Sequence, residues 1–340
     1  MKARARKQQS WRLRLGRVLA LAAVGVSLWG PAALALPSGG QIITQGAGTI
    51  GAAQNGVQTI TQTADKMIIN WKDFSIRNGE TVQFNQKNAA AVALNRVTGG
   101  RASEIYGALK ANGKIFLVNP KGILFGGGAE VNVGGIVAST LDITDTDFKN
   151  GTYKFSAKSG ERPGEVIQQG KITVADGGYA ALLGSLARND GTIAVVTGGN
   201  ANAVLAAGET ITLQLGNNSL GVTVDKAFTD AQIANKRAID LGNGALYLTA
   251  GAMNDLMNRV TCSGAVRAGK IVLQGGRVSL QTADLDQDGR KRQLLTTPEG
   301  AMPEVKIQSM AEAAHVGVVD VKHQPTAIQA DGIDNKGIDW

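Results

Sequence analysis

The stretch ASEIYGALKANGKIFLVNPKGILFGGGAEVNVGGIVASTLDIT, residues 102–144, carries the sequence pattern that decides the fold. Short apolar runs such as KIFLV alternate with Asn-Gly, Pro-Lys-Gly and Gly-rich turns, and no apolar period of 3.6 residues runs through them. β-Branched residues bounded by turn residues are typical of strands. We therefore predict a series of short β-strands here.

The same form, a glycine turn followed by a short apolar strand, recurs along the chain. It is seen in GKITV at 170, GTIAVV at 191, GETITLQL at 208, GALYLTA at 244 and GKIVLQG at 269. A repeat near 20 residues is typical of a solenoid in which each coil buries one strand face. We predict an all-β right-handed parallel β-helix with small extra-helical β elements. A β-sandwich is the alternative, because short strands also pair antiparallel.

The first 35 residues have the three parts of a Sec-type signal peptide. Seven basic residues lie within positions 2–17, an apolar run covers 18–28, and Ala33 and Ala35 form an A-x-A cleavage site. The apolar run is too short for a membrane span of about 20 residues. We therefore predict a signal peptide at 1–35, with an uncleaved anchor as the alternative, then the β-helix at 36–285 and a weakly structured tail at 286–340.

A parallel stack exposes unpaired backbone groups at its first coil, and these groups promote aggregation unless they are covered. We predict that residues 41–88 form an N-terminal cap over that edge. Its large apolar side chains come from INWKDFSI, and we place Asn70, Trp71, Phe74 and Ile76 in it. The alternative for Trp71 and Phe74 is that they are ordinary core residues, and the two roles are compatible. Two segments punctuated by Asn and Asp, FTDAQIANKRA from 228 and AMNDLMNRV from 252, are predicted to be partly helical loops.

Charge and cysteine content exclude several classes of function. Seven of the 35 Lys and Arg residues lie in residues 1–17, so the remainder carries 28 basic and 27 acidic residues. That balance lacks the basic footprint of nucleic-acid binding, and no nucleic-acid partner is predicted. Cys262 is the single cysteine, interpreted as a small core residue, and it excludes an intramolecular disulfide.

Metal and cofactor sites are not predicted either. The acidic run DLDQDG at 284–289 matches the first half of a calcium loop, but Leu295 stands where a bidentate Glu is needed. We interpret the run as a solvated turn. His315 and His323 have no metal-ligand spacing around them.

The run NPKGI, residues 119–123, has the residue preferences of a type I turn. Pro120 presets φ, and the Asn119 side chain can bond the backbone two residues on. Between KIFLV and ILFG the turn makes a sharp corner between two strands. Taken alone, it is simply a good turn.

Together with its surroundings, this run resembles the secretion domain of two-partner-secretion exoproteins of the filamentous-haemagglutinin family. The resemblance rests on INWKDFSIRNGETVQFNQ at 69, AVALNRVTGG at 91, residues 102–144, GGYAALLG at 177, NDGTIAV at 189 and, more loosely, GKIVLQGG at 269. The family's usual turn is Asn-Pro-Asn-Gly. Asn119, Pro120, Gly122 and Ile123 therefore carry over, whereas Lys121 departs from the pattern.

The resemblance implies how this chain works. In the family, the domain is recognised in the periplasm by an outer-membrane transporter that exports the chain to the cell surface or medium. Asn119, Pro120, Lys121, Gly122 and Ile123 would form the partner-recognition motif. Members act as adhesins, haemagglutinins or toxin carriers, which implies a receptor on a host or bacterial cell. The alternatives are a β-helical polysaccharide-active enzyme and a passive cell-surface structural protein.

Overall fold

The structure is a computed structural model that describes residues 36–216, 220–228, 230–251, 259–285, 290–309 and 328–331. The predicted signal peptide, with Ala33 and Ala35, lies outside these residues. So do both histidines, residues 252–258 and the 286–289 part of the acidic run.

Three long sheets contain most of the strands, and all strands of the described residues are numbered β1 to β33 in chain order. Sheet 1 contains β1 (Gln41–Ile42), β4 (Lys66–Trp71), β6 (Val92–Val97), β9 (Lys114–Val118), β12 (Gly135–Ser139), β16 (Tyr179–Gly184), β19 (Asn202–Ala207), β24 (Ala245–Ala250), β27 (Lys270–Gly275), β32 (Glu304–Ser309) and β33 (Ile328–Asp331). Sheet 2 contains β2 (Gly48–Ile50), β3 (Val57–Gln62), β5 (Thr81–Gln86), β8 (Ala108–Ala111), β11 (Glu130–Val133), β15 (Lys171–Val174), β18 (Thr192–Val195), β23 (Ile239–Asp240), β26 (Val266–Arg267) and β31 (Leu295–Thr296). Sheet 3 contains β7 (Ser103–Ile105), β10 (Ile123–Phe125), β14 (Val166–Gln168), β17 (Leu186–Asn189), β22 (Gln232–Asn235), β25 (Arg259–Cys262) and β28 (Arg277–Leu280).

Smaller elements lie outside the coils. They are the helix α1 (Asp145–Asn150), the antiparallel strands β13 (Tyr153–Ser156), β20 (Thr210–Leu215) and β21 (Leu220–Lys226), and the hairpin β29 (Ala283–Leu285) and β30 (Lys291–Gln293). The helix is capped at both ends, by the Thr144 side chain and by Gly151 in the left-handed conformation. Among the described residues, no helix is long and apolar enough to cross a membrane.

The chain winds through sheet 2, sheet 1 and sheet 3 in turn, and within these three sheets each strand from β3 onward pairs parallel with the strand one coil away. In sheet 1, Ile68 pairs with Leu94, and Leu94 pairs with Phe116. The antiparallel strands β1 and β2 close the first edge by pairing with β4 and β3. The prediction of a parallel β-helix with an N-terminal cap and extra-helical strands is therefore confirmed.

Burial patterns explain the two kinds of coil strand. Strands of sheet 2 such as β3 and β18 alternate buried and accessible residues, because their outer face meets solvent. Strands β12 and β16 of sheet 1 are buried at every residue. Their inner face joins the solenoid core, and their outer face joins a second core covered by α1, β13, β20 and β21.

Two predictions about local elements are wrong. GETITLQL at 208 is no coil strand, since β20 pairs antiparallel with β13 and β21 outside the solenoid. The partly helical loop from 228 contains β22 instead, which pairs parallel with β17 and buries Ile233 inside. Of the segment from 252, the described residues belong to β25.

Two boundaries also differ from the prediction. The antiparallel cap is confined to β1 and β2, while β3, β4 and β5 already pair parallel, so much of 41–88 belongs to the first coils. At the other end the parallel ladder continues past residue 285, because β31 pairs with β26 and β32 pairs with β27. The predicted tail from 286 therefore contains the coil strands β31 and β32, and β33 further along the chain pairs parallel with β32.

Candidate functional site

The Asn-Pro-Lys-Gly corner turns the chain from β9 in sheet 1 to β10 in sheet 3. The Gly122 N–H donates to the Asn119 carbonyl oxygen at 3.1 Å, and the Lys121 N–H donates to Asn119 Oδ1 at 3.0 Å. Lys121 lacks the positive φ that a type II turn requires, so the corner has the predicted type I form. Gly122 has φ +127°, a conformation that favours glycine.

Burial divides the five predicted motif residues into two groups. Asn119, Gly122 and Ile123 are buried, Pro120 is partly exposed, and Lys121 has 51% of its side chain exposed. Asn119 Nδ2 donates to the Arg101 carbonyl oxygen and to Ser103 Oγ, both at 3.0 Å. The Asn119 amide therefore ties the corner to the preceding coil and has no surface to offer another protein.

The corner also holds both ends of the segment that leaves the solenoid after β12. This segment, residues 140–165, is called the strap. At its entry the Asn119 N–H donates to the Ser139 carbonyl oxygen at 2.9 Å. At its exit the Gly164 N–H donates to the Pro120 carbonyl oxygen at 2.8 Å, and the Ile123 N–H donates to the Glu165 carbonyl oxygen at 2.9 Å.

Between the corner and the strap lies a cleft of about 370 Å³, here called the corner cleft. Its lining combines prolines, strap residues and charged side chains: Arg96, Pro120, Thr140, Asp142, Ile143, Thr144, Asp145, Ser156, Lys158, Glu161 and Pro163. At its rim Glu161 lies 3.1 Å from Lys158 Nζ and 3.7 Å from Lys121 Nζ. The hydrogen bond and charge of Lys158, helped by Lys121, lower the pKa of the Glu161 carboxyl.

Arg96 is the charged centre of this region and is absent from the predicted site. Its guanidinium donates to Asp142 Oδ1 at 2.8 Å, to Asp145 Oδ1 at 2.7 Å and to the Ile143 carbonyl oxygen. A fourth bond reaches Asn70 Oδ1 at 3.3 Å. The sequence signal was available, since a charged residue in a strand that is otherwise buried requires an acidic partner.

The predicted cap residues lie in the first coil. Trp71, Phe74 and Ile76 are buried in the solenoid core. The Trp71 Nε1–H donates to Asn95 Oδ1 at 3.0 Å, and its ring meets Phe74 edge-on at 5.5 Å between centroids. Asn70 is the Arg96 acceptor described above.

The remaining candidates give no reactive or metal-binding site in the part of the chain that the structure describes. Cys262 is buried beside Asn235, whose Nδ2 lies 3.7 Å from Sγ, and burial raises the pKa of the thiol to about 11. No group of three or more His, Cys, Asp or Glu residues is positioned to hold a metal ion among the described residues.

Comparison with known proteins identifies the fold's relatives. Residues 34–296 match the TPS secretion domain family. The chain belongs to this family. The TPS domain is superposable on the crystal structure of the HMW1 secretion domain from Haemophilus influenzae with a TM-score of 0.61 and 25% identity, covering 86% of this chain and 80% of that chain.

Two curated relatives of this TPS domain are heme/hemopexin-binding proteins from Haemophilus influenzae. One is 32% identical over 262 residues, which is 75% of this chain but 28% of the relative. The other is 44% identical over 112 residues, which is 33% of this chain and 12% of the relative. The chain thus spans under a third of the curated relatives it matches.

Proposed function

We propose that this chain is the exported member of a two-partner secretion pair. Its TPS domain is recognised in the periplasm by the periplasmic part of an outer-membrane transporter, which delivers the chain to the cell surface or the medium. The proposal is supported chiefly by the family match over residues 34–296 on a parallel β-helix. The signal peptide predicted at 1–35 would bring the chain to the periplasm.

Within this proposal the residues of the corner have two different roles: some contact the transporter, and others hold the turn in its shape. Lys121 and Pro120 are accessible and contact the transporter, together with the rim of the corner cleft at Lys158 and Glu161. Asn119, Gly122 and Ile123 act by fixing the corner, because their side chains or Cα positions are buried.

The test is export from cells with and without a cognate transporter. We expect mature protein in the medium or on the surface only when the transporter is present. Lys121→Ala should reduce export while leaving the folded domain as stable as the parent. The matched control is Lys110→Ala, which removes another exposed lysine, from the outer face of sheet 2.

The export experiment separates failure of the secretion pair from failure of the corner as the recognised surface. Transporter-independent release would overturn the proposed function altogether. Equal export of the Lys121 and Lys110 variants would keep the secretion pair but remove the corner from the recognised surface.

Activity after export is proposed to be adhesin-like, through a receptor on a host or bacterial cell. The named relatives bind heme or hemopexin, which makes a host heme protein the first ligand to test with the secreted chain.

A polysaccharide-active enzyme is not supported by the cleft, since Asp142 and Asp145 are both paired with Arg96. A passive filament would instead self-associate in sedimentation experiments.

A further inference from the structure

The outer face of sheet 1 differs from the outer face of sheet 2. On sheet 2, the outward row through Thr59, Gln83, Lys110 and Asn132 is polar and partly or fully exposed. On sheet 1, the corresponding row through Ile68, Leu94, Phe116 and Val137 is apolar and completely buried. Without a cover, the first coils would present this apolar row to water.

The cover over this row comes from the strap. Phe116 packs against Phe148 of α1 and against Tyr153 and Phe155 of β13, with ring centroids 5.7, 5.3 and 6.1 Å apart. Leu141 and Ile143 join the same cluster at the start of the strap. The strap therefore supplies most of the cover over the outer face of the first three coils, with Ile43 of the N-terminal segment packed against the same cluster.

Two basic side chains from the first coils hold the two ends of α1. Arg96 in β6 binds the segment just before and at the helix start, through Asp142, Ile143 and Asp145. Lys66 in β4 donates to the carbonyl oxygens of Phe148 and Lys149 at 2.9 and 2.7 Å, where the carbonyl ends of the helix favour a cation.

These anchors join parts of the chain that are far apart in sequence. Arg96 meets its carboxylate partners 46 and 49 residues downstream, and Lys66 meets the helix end 82 and 83 residues downstream. By contrast, successive coil strands of sheet 1 follow one another within a single turn of the solenoid, as Leu94 and Phe116 do.

We propose that the strap is a folding latch: β4, β6 and β9 become a stable stack only when residues 140–156 dock on their outer face, with Arg96 and Lys66 as its anchors. The N-terminal coils then remain open until the strap is available, although they precede it in the chain. The consequence for export, an open first segment available to the transporter, rests on the proposed function. The latch itself does not.

The test is pulse-labelling hydrogen exchange during refolding of the full mature chain, without any transporter. We expect peptides from β4, β6 and β9 to gain protection at the same rate as α1 and β13. Protection of these three strands before the strap would overturn the latch. Because no transporter takes part, failure here is distinct from failure of the proposed export.

A variant pair sharpens the same measurement. Arg96→Gln should slow protection of both the strap and the first coils about tenfold, because charge-assisted hydrogen bonds formed at the rate-limiting step are lost. Arg267→Gln is the matched control, since Arg267 pairs with Asp240 on sheet 2 at 2.7 Å and has no strap contact. If Arg96→Gln slows only the strap, the strap docks on preformed coils and the latch is refuted. If that variant does not refold, the wild-type labelling order alone decides.

Discussion

Replacing Asn119 by alanine tests whether the corner is a structural joint. The side chain is fully buried and makes three hydrogen bonds: two donated by Nδ2, to the Arg101 carbonyl oxygen and Ser103 Oγ, and one accepted by Oδ1 from the Lys121 N–H. Each such bond contributes about 1 kcal/mol net. Asn119→Ala should therefore lower the free energy of unfolding by about 3 kcal/mol.

Urea denaturation of the purified mature chain measures this loss. With a denaturant slope of about 3 kcal/mol per M, the midpoint should fall by about 1 M at unchanged slope. Asn132→Ala, the same chemical change on the exposed outer face of β11, should leave the midpoint unchanged within error. Equal midpoints for parent and Asn119→Ala would refute the structural role and return Asn119 to the list of direct contact residues.

Three further predictions concern single side chains or backbone positions. Trp71→Phe replaces the buried indole by a smaller phenyl ring and removes the Nε1–H bond to buried Asn95, so the free energy of unfolding should fall by about 2–4 kcal/mol in the same urea assay; an unchanged midpoint would contradict the contribution of both the packing and the bond. Gly122→Ala puts a side chain at φ +127° with its Cβ 3.4 Å from that of Ala102, and should destabilise by about 1–3 kcal/mol. Cys262 should resist an aromatic disulfide reagent at pH 8 in the native state and react at once in denaturant, because burial raises its pKa to about 11; rapid native labelling would contradict its burial.

Local sequence patterns were sufficient to locate many strands but not to assign every one to a sheet. The turn-then-strand segments at 113, 170, 191, 244 and 269 correspond to β9, β15, β18, β24 and β27. GETITLQL has the same local pattern, yet β20 pairs antiparallel with β13. The strands that lie beside β20, and not the residues of β20 itself, determine which sheet it joins. The spacing of turns in the sequence does not identify those neighbouring strands.

The site shows the same limit. The turn at 119–123 is encoded locally, by Pro120 at the second position and glycine at the fourth. The burial of Asn119 depends on Arg101 and Ser103 from the preceding coil, and the role of Arg96 depends on carboxylates in the strap. Such contacts depend on which residues of neighbouring coils lie opposite one another. The positions of the turns in the sequence predict where a coil begins, but they do not predict that residue-by-residue register.

The corner and the strap are joined by backbone hydrogen bonds, so a substitution in one disturbs the other. This affects how export-defective variants should be interpreted. Backbone bonds from Asn119, Pro120 and Ile123 hold both ends of the strap, while the strap forms the opposite wall of the corner cleft. A buried substitution in the corner therefore disturbs the cleft and the cover of sheet 1 together, whether or not a transporter touches the corner. Lost export in an Asn119 variant cannot by itself identify a contact residue. Within the corner, Lys121 is exposed and weakly paired, so its substitution separates recognition by the partner from integrity of the fold.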